Sequence, residues 1–173
     1  MTLQFRWEER FLYRQEPWIL KPQRDHLMNM TEDLQSALNC LTSDAKRGRA
    51  ALAQRILHPF CYLTCGSELV AQGAEAAADR LLAGSTDCPD RAGQRQICTV
   101  GFYKARDCRD NQLCIVQQCR MCQLGGDCQQ TCLSLIWKPM TNGEWRLFVL
   151  ATATADGDVA PADYLGFRRL LDL

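Results

Sequence analysis

Five cysteines fall within nineteen residues of the stretch CIVQQCRMCQLGGDCQQTC, in the spacing Cys114-x4-Cys119-x2-Cys122-x5-Cys128-x3-Cys132. Thiolates are soft ligands. A two-residue gap lets a pair of them bend onto one ion or cluster, and wider gaps bring further ligands round to complete a tetrahedral set. Gly125 and Gly126 lie inside the x5 gap, where a chain wrapping a cluster gains from unrestricted φ and a close backbone approach. The expected metal site is therefore Cys114, Cys119, Cys122 and Cys128, with Cys132 as an alternative ligand, holding an iron-sulfur cluster or, failing that, zinc.

Two local resemblances carry this further. The run Cys119-x2-Cys122-x5-Cys128-x3-Cys132 resembles that of SPASM-type auxiliary iron-sulfur regions, which implies a [4Fe-4S] cluster. One register earlier, Cys114-x4-Cys119-x2-Cys122-x5-Cys128, preceded by Phe102-Tyr103-Lys104, is similar to the C-terminal signature of the NifQ family. That family supplies molybdenum for nitrogenase cofactor assembly, and the resemblance implies an iron-sulfur or molybdenum-iron-sulfur cluster. Each resemblance covers fewer than 35 residues, and neither extends to the whole chain.

The same residues admit a second chemistry. The chain has eleven cysteines, and Cys88, Cys98 and Cys108 join the five above between residues 88 and 132. Such density is reached either by disulfides in an oxidising compartment or by metal binding in a reducing one. Four disulfides would suit the wide gaps and polar filler. Cys61 and Cys65 stand at i and i+4, stacked if a helix runs through them, either as outlying ligands or a redox pair, or as small buried hydrophobes like Cys40. His26 and His58 have no neighbour at ligand spacing, and His58, beside Pro59, reads as a helix cap. The segment TATADGDVAPAD lacks the first carboxylates of a calcium loop and reads as a turn before a helix.

The elements that must position these thiols are legible to different degrees. Residues 1–30, rich in Trp, Phe, Tyr and Arg, read as an aromatic arm. Thr31 with Glu32 and Asp33 reads as a helix start, followed by Leu34, Ala37, Leu38 and Leu41 on one face. A second helix is expected from Asp44 to Leu57, stopped before Pro59. A third is expected from Ser67 to Gly84, so that residues 31–84 form a helical part. Residues 85–132 show no lasting period and read as an irregular cysteine-rich segment. Around Asn142-Gly143, LSLIWKP and EWRLFVLATAT read as a β-hairpin, and PADYLGFRRLLDL as a closing helix, giving 133–173 as hairpin and terminal helix.

The expected fold is α+β: a small helical bundle, the irregular segment, a hairpin and a C-terminal helix in a single domain over 1–173. Twenty basic residues balance twenty acidic ones, so no net field draws the whole molecule to nucleic acid. No apolar run approaches the roughly 18 residues of a membrane span. The charged N-terminus is unlike a signal peptide and favours a cytoplasmic location; a periplasmic, secreted or organelle-lumen location follows if the chain is a processed form. The expected function is electron transfer or metallocofactor assembly. The alternative is a disulfide-stabilised, non-catalytic interaction protein or assembly subunit, with a protein partner gripped by the aromatic arm. No Walker loop, dinucleotide fingerprint, zinc-protease motif or serine elbow is present.

Overall fold

The computed structural model describes residues 5–7, 19–38, 45–65, 68–83, 95–107, 110–123 and 131–153. Their architecture is α+β: one seven-stranded sheet with three α-helices. The strands are β1 (Phe5–Trp7), β2 (Leu57–Cys65), β3 (Glu68–Gln72), β4 (Arg95–Asp107), β5 (Leu113–Gln123), β6 (Thr131–Pro139) and β7 (Trp145–Ala153), in the order β1-β4-β5-β6-β7-β2-β3. Every pairing is antiparallel except β2 with β7.

The first helix, α1 (Lys21–Leu38), begins ten residues before the expected start. Pro22 stands in its first turn, where a missing N–H costs nothing. Thr31, expected as a cap, is mid-helix and buried. Its hydroxyl contacts the Leu27 carbonyl one turn back at 2.8 Å, which satisfies it without ending the helix. Leu27, Thr31, Leu34 and Leu38 form the buried stripe. The second helix, α2 (Ala45–Ala51), runs into a single π-turn (Leu52–Ile56) and ends before His58-Pro59, close to the expected bounds. The third is shorter than expected. Ser67–Gly84 was read as one helix, yet residues 68–72 are β3 and only α3 (Ala74–Ala83) is helical. Gly73, at φ +91°, turns the chain between them and donates to the Cys61 carbonyl.

The largest correction falls on the cysteine-rich segment. Much of the expected irregular segment is the two longest strands of the sheet, β4 and β5, paired with each other over residues 95–106 and 113–123. The expected helix through Cys61 and Cys65 is likewise a strand, β2. The hairpin is present as β6 and β7, though the turn is a five-residue loop in which Gly143, not Asn142, takes the positive φ, at +84°. Of the aromatic arm, Phe5–Trp7 pairs with β4 at the edge of the sheet. The expected closing helix and the TATADGDVAPAD turn beyond Ala153 lie outside the described residues, as do Cys40, Cys88, Cys108 and Cys128.

Strand alternation sorts the core into two clusters. The inner face carries Phe102, Ile115, Cys119, Leu133, Leu135, Trp137, Leu147 and Leu150 against α1, the π-turn and α3. The outer face carries Tyr62, Ala105, Cys114, Val116, Ile136, Phe148 and Val149, all from strands. Three strands carry bulges: Val70 is the extra residue in β3, where Leu63 opposes Ala71 and Thr64 opposes Leu69. Val100 is the extra residue of a bulge in β4, and Phe148 that of a bulge in β7, where Leu147 opposes Trp137 and Val149 opposes Ile136.

A candidate binding cleft on the outer face

The β7 bulge is also where β2 leaves its ladder. Leu57 pairs with Leu147 and Tyr62 with Val149, so four residues of β2, His58 to Cys61, stand against Phe148 alone. Pro59 has no N–H to offer a ladder, which suits it to this departure. The freed backbone groups find other partners. Phe60 N–H donates to His58 Nδ1 at 3.0 Å, and the Cys61 carbonyl accepts from Gly73 N–H at 2.8 Å. Nδ1 of His58 thus carries no proton, and the residue is not the cationic helix cap expected from its neighbours: the π-turn has already closed at Leu57.

The departure opens a cleft of about 670 Å³ between the looped-out part of β2, the end of β6 and the turn before β5. One wall is aromatic: His58, Phe60, Tyr62 and Phe148. His58 and Tyr62 each meet Phe148 edge-to-face, with ring centroids 5.1 and 5.6 Å apart. Phe60 is 71% exposed at the rim. The opposite wall contains Asp110, Gln112 and Lys138. Lys138 Nζ lies 2.7 Å from Oδ2 of fully buried Asp107, 2.7 Å from Oδ2 of Asp110, and 4.7 Å from the centre of the Phe148 ring. Burial by itself would lower the lysine's pKa, but the hydrogen bonds to Asp107 and Asp110 outweigh it and raise the value above the ordinary one. Lys138 is a fixed cation and not a nucleophilic amine.

The inner face holds a second polar constellation, and it is closed on itself. Gln117 is fully buried in the middle of β5. The Trp137 indole can only donate, and its contact with Oε1 at 2.9 Å fixes which way the amide points. The amide nitrogen donates to Thr99 Oγ1 at 2.8 Å, and Thr31 Oγ1 lies 2.9 Å from Oε1, sharing one proton between that oxygen and the Leu27 carbonyl. This arrangement ties α1 to three strands, but supplies no titrating group.

The structure does not bring the expected ligands together. Cys114 and Cys119 are five residues apart on an unbroken stretch of β5, hence on opposite faces and, at about 3.3 Å per residue, some 17 Å apart along the strand. No single ion or cluster can reach both. Cys122 pairs through its backbone with Gln96 further along β5, and Cys132 is on β6 opposite Arg120 and Ala153. Burial pushes the Cys114 and Cys119 thiols up to about 12 and the Cys61 thiol to about 11. Among the described residues no group of three or more His, Cys, Asp or Glu side chains is placed to hold a metal ion. Cys61, Cys65, Cys98, Cys114, Cys119 and Cys132 are all free thiols, so none of these six is in a disulfide. Iron-sulfur electron transfer and a disulfide-stabilised scaffold are therefore both corrected. At the buried positions cysteine serves as a small hydrophobe.

Sequence reasoning missed the cleft because its walls come from separate segments. His58 reads from its neighbours as a helix cap with no partner at ligand spacing, and Asp110, Lys138 and Phe148 carry no local pattern. The one local signal was Pro59, which marks the halt of the second helical stretch. No helix among the described residues is long and apolar enough to cross a membrane.

No protein-family model and no curated protein matches the sequence. Solved structures do match the fold. A protein of unknown function with a cystatin-like fold from Nostoc punctiforme is 10% identical, with a TM-score of 0.54 over 80% of this chain and 96% of that one. ActVI-ORFA from Streptomyces coelicolor is 8% identical, with a TM-score of 0.55 over 78% and 98%. Nuclear transport factor 2 from Cryptosporidium parvum is 13% identical, with a TM-score of 0.50 over 79% and 98%. At such identities the likeness is one of fold: the chain has the α+β architecture of cystatin-like, nuclear-transport-factor-2-like proteins.

Proposed function

We propose that the protein is a non-catalytic binding protein that takes a ring-bearing, largely apolar small molecule in the outer-face cleft. The observation that carries this reading is the cleft itself: about 670 Å³, walled by three phenyl or phenol rings and an imidazole, and produced by matched irregularities in β2 and β7. That volume falls within the range of roughly 300–1,000 Å³ typical of small-molecule sites, and such sites pair aromatic walls with a few polar groups. The described groups favour binding over chemistry. Lys138 is held protonated by two carboxylates, and the Cys114, Cys119 and Cys61 thiols are held neutral by burial.

The test uses Nile red, a neutral planar dye that brightens in apolar sites. The wild-type chain should bind it saturably with one-to-one stoichiometry. Thr141→Trp, at an exposed position on the cleft rim, fills the space and should abolish the signal while leaving the circular dichroism unchanged. Undiminished dye binding by Thr141→Trp would place the dye elsewhere and sink the reading.

A further inference from the structure

We infer that the ligand of this cleft carries a carbonyl oxygen on its ring-bearing body, and that the Tyr62 hydroxyl is the donor that reads it; the inference rests on the cleft being a binding site. Tyr62 lines the cleft and is 7% exposed, its ring edge-to-face with Phe148 at a centroid distance of 5.6 Å. It is the residue at which β2 returns to the ladder, opposite Val149 on one side and Gln72 on the other. Two neighbouring strands fix its backbone and Phe148 packs its ring, so the hydroxyl stands on a rigid element.

That hydroxyl makes no hydrogen bond within the protein, and it is not sealed in. Among the described residues, Thr64 Oγ1 is the only buried side-chain polar atom without a partner, so the small accessible part of Tyr62 includes its oxygen. The other polar side chains lining the cleft differ from it. Lys138 and Asp110 bind each other at 2.7 Å, Gln112 Nε2 donates to the Pro139 carbonyl at 2.9 Å, and His58 Nδ1 accepts from Phe60 N–H. Gln72 and Thr141 are exposed to water. A ring-bearing ligand that fills the cleft excludes water from Tyr62, and a hydroxyl left dry without a partner weakens binding. An oxygen placed over it restores the bond, which a hydrocarbon of the same shape cannot do. The phenol O–H donates, and a carbonyl only accepts. One such contact sets the orientation of a ligand in a largely apolar site.

The test compares acetophenone with ethylbenzene, which share a ring and nearly a shape but differ in the acceptor oxygen. Both are titrated into the full wild-type chain and into Tyr62→Phe, and followed by backbone amide shifts. Tyr62→Phe keeps a ring against Phe148 and removes no hydrogen bond of the protein, so it should fold as the wild type does. It should weaken acetophenone roughly threefold to tenfold relative to ethylbenzene. If the ratio of the two affinities is the same in Tyr62→Phe as in the wild type, or moves in favour of acetophenone, the inference is overturned and the binding site stands. If neither ligand shifts the amides of residues 58, 60, 62, 138 and 140 in the wild type, the binding site falls and the inference falls with it.

Discussion

The two faces of the sheet use the same strands to opposite ends. On the inner face the Gln117 amide locks Trp137, Thr99 and Thr31 together under α1. On the outer face an apolar cluster runs out, at Phe148, into a cleft with a charged wall. β5 contributes to both, since Ile115, Gln117 and Cys119 point one way and Cys114 and Val116 the other. Side-chain hydrogen bonds tie the inner core together, whereas one bulge in β7 and the four residues of β2 that stand against it create the outer cleft. Stability and binding can therefore be altered separately, and the contrast can be tested from either side.

The largest effect should come from the ion pair. Lys138→Met removes the ammonium that lies 2.7 Å from the buried Asp107 carboxylate and from Asp110, and should cost about 3–5 kcal/mol in urea unfolding. A cost below about 1 kcal/mol would mean that the outer wall does not depend on this pair. Next is the inner network. Gln117→Leu strands the fully buried Trp137 indole and removes the amide contacts to Thr99 and Thr31, and should cost about 1–3 kcal/mol without altering Nile red binding. A change in dye affinity would show that the two faces are coupled.

The cysteines sharpen the comparison further. Cys114→Ala and Cys119→Ala should each cost about 1–2 kcal/mol, and the double variant should equal their sum to within about 0.5 kcal/mol, because the two thiols share no partner. A coupling well beyond that would bring them into one site after all. Their raised pKa values have a further consequence. The folded chain keeps Cys61, Cys114 and Cys119 protonated up to about 11 or 12, while the unfolded chain releases those protons above about 9. Unfolded molecules then bind fewer protons than folded ones, so stability should be flat below that pH and fall from about 9 to 12. Replacing all three by Ala should flatten the fall. The smallest effect belongs to the rim. Phe60→Ala, at a position 71% exposed, should change stability by less than about 0.5 kcal/mol and yet weaken dye binding.

Local features of the chain were readable wherever a period or a turn residue was strong. The stripe Leu34, Ala37 and Leu38 announced α1, and the halt before His58-Pro59 announced the end of the second helical stretch. Asn142-Gly143 between apolar runs announced β6 and β7. In β4 and β5 the alternation was present but hidden. Treated as a hydrophobe, Cys119 extends the inward set Ile115, Cys119 and Met121, and Cys114 joins Val116 on the other side. Treated as ligands, the same cysteines interrupt both sets. Gln117 adds to the disguise, because a fully buried amide at the centre of a strand looks like a surface residue until its partners are known.

The amino-acid sequence by itself determined the α+β character, the first two helical stretches and the hairpin of β6 and β7, because these depend on neighbours a few residues apart. Only the tertiary structure decided which face each described cysteine occupies, and that β2 pairs in parallel with β7 across nearly 90 residues of chain. The cleft belongs to the same class. Phe148, Lys138, Asp110 and His58 are distant along the chain, and they meet because one bulge and one broken ladder coincide at the end of the sheet. Spacing can propose that two side chains share a ligand, but the two-residue period of a strand sends positions five apart to opposite faces, whatever their chemistry.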